Sequence, residues 1–154
     1  MYVGLSNYQP AEAAEAFALL RELGTPCLIY QPKYSMFERW VEDSLLDLLA
    51  DEGVGCIPFS PLAQGLLTDK YLHGIPDDSR VAKGVGFLTE NNLTPARLDQ
   101  VRRLHHLANI RNQRLAQMAL SWLLNNHRVP PGLICASHTE RLSDTIRALR
   151  HWNY

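Results

Sequence analysis

Small polar side chains follow four apolar segments of the sequence, at the point where each segment ends. In chain order they are Ser6-Asn7, Gln31, Ser60 and Ser137-His138. Ser, Asn and Gln offer hydrogen-bond donors and acceptors without charge, which suits a carboxamide. Phe59, next to Ser60, offers a flat apolar face on which a ring can stack. These residue types favour a ligand that combines an amide with an aromatic ring.

Two further segments have residue types that suit phosphate groups. Residues 63–70 combine a glycine, Gly65, with a lysine, Lys70, and accessible backbone N–H groups beside a cation suit phosphate oxygens. A last helix, predicted to begin near Thr139, would present its first N–H groups to another phosphate. A carboxamide, a ring and several phosphates together describe a nicotinamide dinucleotide. The GxGxxG fingerprint of many dinucleotide-binding proteins is absent from the sequence.

The four apolar segments are predicted strands, and predicted helices separate them. The strands are expected at residues 2–6, 26–31, 55–59 and 132–136, and the helices at 11–23, 41–50, 94–108, 115–123 and 141–149. The strands lack a clean alternation of polar and apolar residues, which predicts burial on both faces of a parallel sheet. This order is typical of consecutive βαβ units, whose strands end at one edge of the sheet. The long irregular segment 73–93 is predicted to be a loop on that side.

Length and composition exclude several classes of protein. The chain has 154 residues, 20% of them charged, and a formal net charge of −1, so nothing favours nucleic acid or an acidic membrane as a partner. No signal peptide and no long apolar segment is recognisable, which predicts a cytoplasmic protein. Three cysteines without metal-ligand spacing predict reduced thiols and no metal site. His105 and His106 diverge on a helix and are expected to be a surface pair.

Five segments of the sequence resemble the second half of the aldo-keto reductase family, in the branch that includes the potassium-channel beta subunits. They are Tyr2-Val-Gly-Leu-Ser-Asn-Tyr, Tyr30-Gln-Pro-Lys-Tyr-Ser, Phe59-Ser-Pro-Leu-Ala-Gln-Gly-Leu-Leu-Thr-Asp-Lys-Tyr, Ala116-Gln-Met-Ala-Leu-Ser-Trp-Leu-Leu and Ile134-Cys-Ala-Ser. They occur in family order over nearly the whole chain. The resemblance implies an α/β fold, namely the C-terminal half of a (β/α)8 TIM barrel with four parallel strands and covering helices. One domain, residues 1–154, is expected.

The resemblance also implies NADPH as the cofactor, and it implies which part of NADPH each matching residue would contact. Ser6, Asn7 and Gln31 would hold the nicotinamide carboxamide, and Phe59 would stack on the ring. The residues that match the segment along the pyrophosphate are Ser60, Leu62, Gln64, Gly65 and Lys70. Ser137 matches a residue at the adenosine 2′-phosphate. His138 and Arg141 are further candidates near the phosphates at that end.

The adenine end departs from the family pattern. Cys135-Ala-Ser137, Arg141-Leu142 and Asp144-Thr145 stand where the family usually shows Gly-Ala-Ser, Gln-Leu and Glu-Asn. Asp69 replaces the common glycine before Lys70 and adds a negative charge there. Because each change removes or strains a polar contact, we expect weaker binding, by about 1–3 kcal/mol in total.

No catalytic residue can be assigned from the sequence. In the family the catalytic Asp, Tyr, Lys and His precede the matched segments, and hydride transfer to a carbonyl needs a proton donor beside the nicotinamide. The resemblance therefore implies the NADPH-binding half of a reductase of small aldehydes or ketones, inactive by itself. Two alternatives stay open: a non-catalytic cofactor-binding or protein-interaction module, and a non-functional product of a truncated gene. An open half barrel is expected to self-associate through its strand edges.

Overall fold

The computed structural model describes residues 2–77, 79, 81–129 and 139–151. Its strands are β1 (Val3–Ser6), β2 (Cys27–Gln31) and β3 (Gly55–Cys56), and its helices are α1 (Pro10–Glu22), α2 (Leu45–Glu52), α3 (Pro95–Ile110), α4 (Leu115–Leu124) and α5 (Thr139–Arg147). The strands form a parallel sheet in the order β1-β2-β3, which confirms the predicted α/β class. The predicted fourth strand, residues 132–136, lies outside the described residues, as do Cys135, Ser137 and His138.

The third strand is shorter than the predicted segment 55–59, and Pro32, which lies opposite its end and cannot donate to the Ile57 carbonyl, accounts for the difference. Proline has no N–H group, so it cannot donate to the hydrogen-bond ladder of a sheet. Pairing with the second strand nevertheless continues on both sides of the missing N–H. The N–H of Ile57 donates to the carbonyl of Tyr30 at 2.9 Å, and the N–H of Phe59 donates to the carbonyl of Pro32 at 2.9 Å. The edge of the sheet is thereby extended to Phe59.

Helices α1 and α2 cover one face of the sheet and form a core with it. The buried residues of this core come from both helices, the strands and the segments around them: Ala13, Phe17, Tyr30, Tyr34, Val41, Leu45, Leu46, Leu49, Val54, Cys56, Leu123 and Val129. Pro10 suits the first turn of α1, where its missing N–H costs nothing. Gly53 ends α2 with φ +67°, a left-handed conformation that glycine adopts without a steric penalty.

The other face of the sheet is open, and the expectation of burial on both faces is wrong for the described residues. Gly4 pairs with Ile29, which pairs with Gly55, and all three are exposed. The apolar pattern of β2 predicted burial because a (β/α)8 barrel fills this face with side chains from strands all around the barrel. We call the row Gly4, Ile29 and Gly55 the open face.

Gly4 is required by the close approach of Ile29. A Cβ atom at position 4 would lie 2.9 Å from Ile29 Cγ1 and 3.3 Å from the Ile29 carbonyl oxygen. Because that oxygen belongs to the sheet, we expect Gly4→Ala to lower the free energy of unfolding by about 1–3 kcal/mol. Gly55→Ala is the matched control, since its Cβ would meet its nearest neighbours at 3.5 and 3.7 Å. Urea denaturation of both variants checks this; equal stability would contradict it.

A second core lies between α3, α4 and the segment that follows β3. Its buried residues are Leu66, Tyr71, Val81, Leu88, Val101, Ala108, Leu115 and Met118. The predicted loop 73–93 is irregular where it is described, apart from a short 3-10 turn over Glu90–Asn92. Val81 and Leu88 attach this loop to the second core, so it is held against α3 and α4 by apolar contacts.

Helix α5 packs on α4 through polar groups and leaves its apolar side exposed. Leu142 and Ile146 are about half exposed, as is Leu149, which shares the predicted apolar side but lies in the 3-10 turn after α5. The contact with α4 includes a hydrogen bond of 2.9 Å from Gln117 Nε2 to Asp144 Oδ1. Just after α5, the carbonyl of Ala148 in the 3-10 turn Ala148–His151 accepts from Ser121 Oγ at 3.0 Å. None of the helices in the described part of the chain combines the length and apolar composition needed to cross a membrane.

Candidate functional site

The carboxyl edge of the sheet brings together residues that are far apart in the chain. Ser6 pairs with Gln31 in the β1–β2 register, and Ser6 Oγ donates to the Gln31 carbonyl at 2.7 Å. Asn7 Oδ1 accepts the N–H of Lys33 at 3.0 Å. Lys33 in turn forms a parallel bridge with Phe59. The four residues predicted to contact a nicotinamide, Ser6, Asn7, Gln31 and Phe59, are therefore neighbours along one edge.

Strand periodicity assigns two of these residues to the open face. Ser6 follows Gly4 by two residues and Gln31 follows Ile29 by two, and residues two apart in a strand share a face. Both side chains therefore belong to the uncovered side of the sheet, away from α1 and α2. A ligand at this edge would meet the hydroxyl of Ser6 and the amide of Gln31 from the side that the helices leave free.

The backbone near this edge is unusual. Four residues other than glycine have positive φ angles here, namely Asn7 (57°), Ser60 (55°), Ala63 (46°) and Gln64 (58°). L-residues adopt this left-handed conformation at a cost, which is smallest for Asn. Such conformations cluster where a fold serves a binding or catalytic site. In the rest of the described chain, only Asn112 between α3 and α4 is a further example.

The predicted pyrophosphate segment folds into a series of tight turns. Gly65 has a φ of 102° and donates its N–H to the carbonyl of Leu62 at 2.9 Å. Thr68 Oγ1 donates to the Gly65 carbonyl at 2.6 Å and accepts the N–H of Lys70 at 3.2 Å. Gln64 Oε1 accepts the N–H of Phe87 at 3.2 Å, which ties this segment to the loop 73–93. Both Gln64 and Lys70 are half-buried.

The charge added by Asp69 lies beside α3. Asp69 Oδ1 is 3.6 Å from His105 Nε2, and His105 Nδ1 is 3.3 Å from Asn109 Nδ2. The predicted surface pair of histidines therefore includes one that contacts the phosphate-suited segment.

The predicted residues at the adenine end are only partly described. Ser137 and His138 lie outside the described residues, and for Arg141 only the backbone in α5 is described. Asp144, one of the departures from the family pattern, is held by α4. Its Oδ2 accepts from Arg114 Nη1 at 3.1 Å, and its Oδ1 accepts from Gln117 Nε2 at 2.9 Å.

Two buried tyrosines have environments that disfavour proton donation. Burial raises the pKa of Tyr30 to about 12 and that of Tyr34 to about 12. Tyr30 donates its hydroxyl to the Tyr8 carbonyl, and Tyr34 donates to Glu42 Oε1 at 2.8 Å. Glu42 has a lowered pKa, chiefly because Arg39 donates to it. A phenol that loses its proton only near pH 12 is poorly matched to general acid catalysis near neutrality.

Lys33 also lies at this edge, although it is not among the residues predicted for the site. It connects Asn7 to Phe59 through its backbone, and its Nζ is 3.2 Å from Glu38 Oε2. Its position two residues after Gln31, in an extended segment, is the signal in the sequence that could have indicated it.

A parallel sheet with polar groups at the carboxyl ends of its strands defines an α/β protein, a class whose ligands usually bind at that edge. The comparison with known proteins identifies the family. The model of the aldo/keto reductase family matches residues 1–154, and the chain belongs to this family. The (β/α)8 barrel is the fold of the family, and three parallel strands with helices on one side form a part of such a barrel.

Two relatives show how much of a family member the chain covers. The chain is 49% identical over 158 residues to an L-glyceraldehyde 3-phosphate reductase of Escherichia coli (strain K12), an alignment that covers 100% of this chain and 46% of the relative. It is 48% identical over 158 residues to the protein of the same name from Escherichia coli O157:H7, with the same coverage. The chain thus spans about half the length of the curated relatives it matches.

Proposed function

We propose that the chain is the NADPH-binding half of an aldo-keto reductase, which reduces small aldehydes or ketones to alcohols by hydride transfer in the cytoplasm. The observation that carries this proposal is the adjacency of Ser6, Asn7, Gln31 and Phe59 at one edge of the sheet. The left-handed residues at the same edge support it independently, because strained backbone is maintained where function requires it.

The residues at this edge fit the chemistry of a nicotinamide. Asn7 Oδ1 is occupied by the N–H of Lys33, so its amide NH2 is the group suited to donate to a carboxamide oxygen. Ser6 and Gln31 add polar groups that both donate and accept, and Phe59 adds an aromatic face. The hydride would come from the reduced nicotinamide; these residues would orient the ring and its amide.

The name of the E. coli relatives suggests a small phosphorylated aldehyde as one substrate. Two residues of the described chain, Phe37 and Arg97, form a contact that is consistent with an anionic substrate group. Phe37, in the segment after β2, lies under the guanidinium of Arg97, which is 4.5 Å from the ring centroid. The cation is held by an aromatic face, which leaves its charge suited to attract a phosphate. Met36 and Phe37 also pack on the second core, so they serve structure as well.

A second candidate function is a cofactor-binding module without turnover. The raised pKa of both Tyr30 and Tyr34 favours it, because neither suits the proton donor that the reaction needs. In the reductase proposal that donor comes from residues that complete the barrel. The open face and the edge of β1 are where the completing strands, or a second copy of the chain, would attach.

A titration of NADPH fluorescence tests cofactor binding. We expect saturable quenching for the 154-residue chain, with the Kd raised about 10-fold in Phe59→Ala because the stacking contact is lost. Lys70→Ala should weaken binding to a similar degree, and that loss should shrink at high salt because the contact is ionic. Lys83→Ala is the control, since Lys83 is exposed in the loop 73–93. Identical titration curves for the wild-type chain and the three variants would contradict the assignment of Phe59 and Lys70 to the cofactor site.

A further inference from the structure

The turn between β1 and α1 holds a left-handed asparagine. Asn7 has a φ of 57°, and only Tyr8 and Gln9 separate it from the first residue of α1. Its side chain is fixed on one side by the N–H of Lys33, which donates to Asn7 Oδ1 at 3.0 Å. The Tyr8–Gln9 peptide is held at its N–H, which donates to Glu12 Oε2 at 2.9 Å.

A buried hydroxyl holds the carbonyl end of the same Tyr8–Gln9 peptide. Tyr30 is 0% exposed, and its ring meets the Phe17 ring edge-on, with centroids 6.3 Å apart and an interplanar angle of 80°. Its hydroxyl donates to the carbonyl of Tyr8. The ring cannot shift without disturbing the first core, so the position of this carbonyl is set by a rigid group.

We propose that Tyr30 is a positioning residue, which holds the Asn7 turn in the left-handed conformation that directs the Asn7 amide toward a bound ligand. The meaning of this role for the cofactor rests on the proposed function. Two contacts act together: the Lys33 N–H holds the side chain of Asn7, and Tyr30 Oη holds the Tyr8 carbonyl. Removing the hydroxyl leaves the Tyr8–Gln9 peptide held only through the Gln9 N–H, so we expect the turn to sample other conformations more often.

Tyr34 provides a matched comparison. It is also buried, at 1% exposed, and its hydroxyl also donates a hydrogen bond, but to Glu42 rather than to the turn. Tyr30→Phe and Tyr34→Phe therefore each remove one buried hydroxyl and keep the ring. A purely structural role predicts similar behaviour for the two variants, whereas a positioning role predicts a difference at Asn7.

Hydrogen exchange of two backbone amides in the 154-residue chain separates these possibilities. The Lys33 amide reports on Asn7 because Asn7 Oδ1 accepts its proton, and the Phe59 amide, bonded to the Pro32 carbonyl at 2.9 Å, reports on the same edge without Asn7. In Tyr30→Phe we expect exchange at Lys33 to accelerate at least about 5-fold relative to Phe59, as the loss of a hydrogen bond implies. In Tyr34→Phe the ratio should stay at the wild-type value. An unchanged ratio in Tyr30→Phe, or equal changes in both variants, would overturn the proposal.

The NADPH titration adds a second readout with a separate meaning. Tyr30→Phe should lower the population of the left-handed conformation of Asn7 and raise the Kd for NADPH by the same factor. Tyr34→Phe should leave the Kd unchanged. If the wild-type chain binds no NADPH, the proposed function fails, while the exchange ratio still decides the role of Tyr30. If NADPH binds equally well to Tyr30→Phe and to wild type, the positioning role is refuted even though the cofactor site stands.

Discussion

Raising the pH from 9 to 12 is expected to remove most of the stability of the chain. Burial raises the pKa of Tyr30, Tyr34 and Cys56 to about 12 each, from ordinary values of 10, 10 and 9. In this window the unfolded chain loses these protons while the folded chain keeps them, so stability falls as the pH rises. Two pKa units correspond to about 3 kcal/mol for each tyrosine, a large part of the usual 5–15 kcal/mol.

Urea denaturation at pH 8, 10, 11 and 12 measures this loss. The stabilisation is fully present below pH 9, declines first through Cys56 and then through the tyrosines, and is gone above pH 12. The double variant Tyr30→Phe with Tyr34→Phe is the control, because its rings stay buried but do not titrate. Its stability should depend less steeply on pH. A wild-type chain that is equally stable at pH 8 and pH 12 would contradict the raised pKa values of these three buried groups.

The purified chain is expected to self-associate through the open face and the edge of β1. On the side of β1 away from β2, none of the described strands pairs with it. On the open face, Ile29 is 37% exposed between Gly4 and Gly55. Unpaired backbone groups next to exposed apolar surface favour pairing with another chain. Sedimentation should therefore show species heavier than the 17.5 kDa monomer.

One substitution on the open face should separate this mode of association from others. Ile29→Lys places a charge on it, and a charge at a sheet surface opposes pairing, so the monomer should become the main species. Leu107→Lys is the matched control, because Leu107 is 51% exposed but lies on α3. A wild-type chain that sediments as a monomer and melts cooperatively would refute the prediction. If both variants dissociate equally, the chains associate through a surface other than the open face.

The pattern of apolar segments and polar ends was sufficient to predict the arrangement at the carboxyl edge. Strands β1 and β2 agree with the predicted segments within one residue, and parallel strands necessarily end at one edge, so the adjacency of Ser6 and Gln31 follows. Pro32, opposite the end of β3, also shortens that strand for a reason visible in the sequence, since proline interrupts a ladder. Local chemistry decides these features, and local chemistry is what a sequence shows directly.

Other features depend on contacts that a linear pattern does not contain. The positive φ angles of Ser60 and Ala63 are imposed by the path of the chain between β3 and the second core, not by their residue types. The exposure of Ile29 depends on which other strands complete the sheet, and its apolar character predicted the opposite. The same holds for Leu142 in α5, whose helix meets α4 through polar groups.

The hydrogen bond from the Phe87 N–H to Gln64 Oε1 couples the conformations of two segments that are distant in the sequence. One partner lies in the segment suited to phosphate and the other in the loop 73–93, where the Phe87 side chain is 91% exposed. A ligand that selects one rotamer of Gln64 thereby changes the conformational populations around Phe87. By linkage, a molecule that engages Phe87 changes the affinity at Gln64 by the same factor.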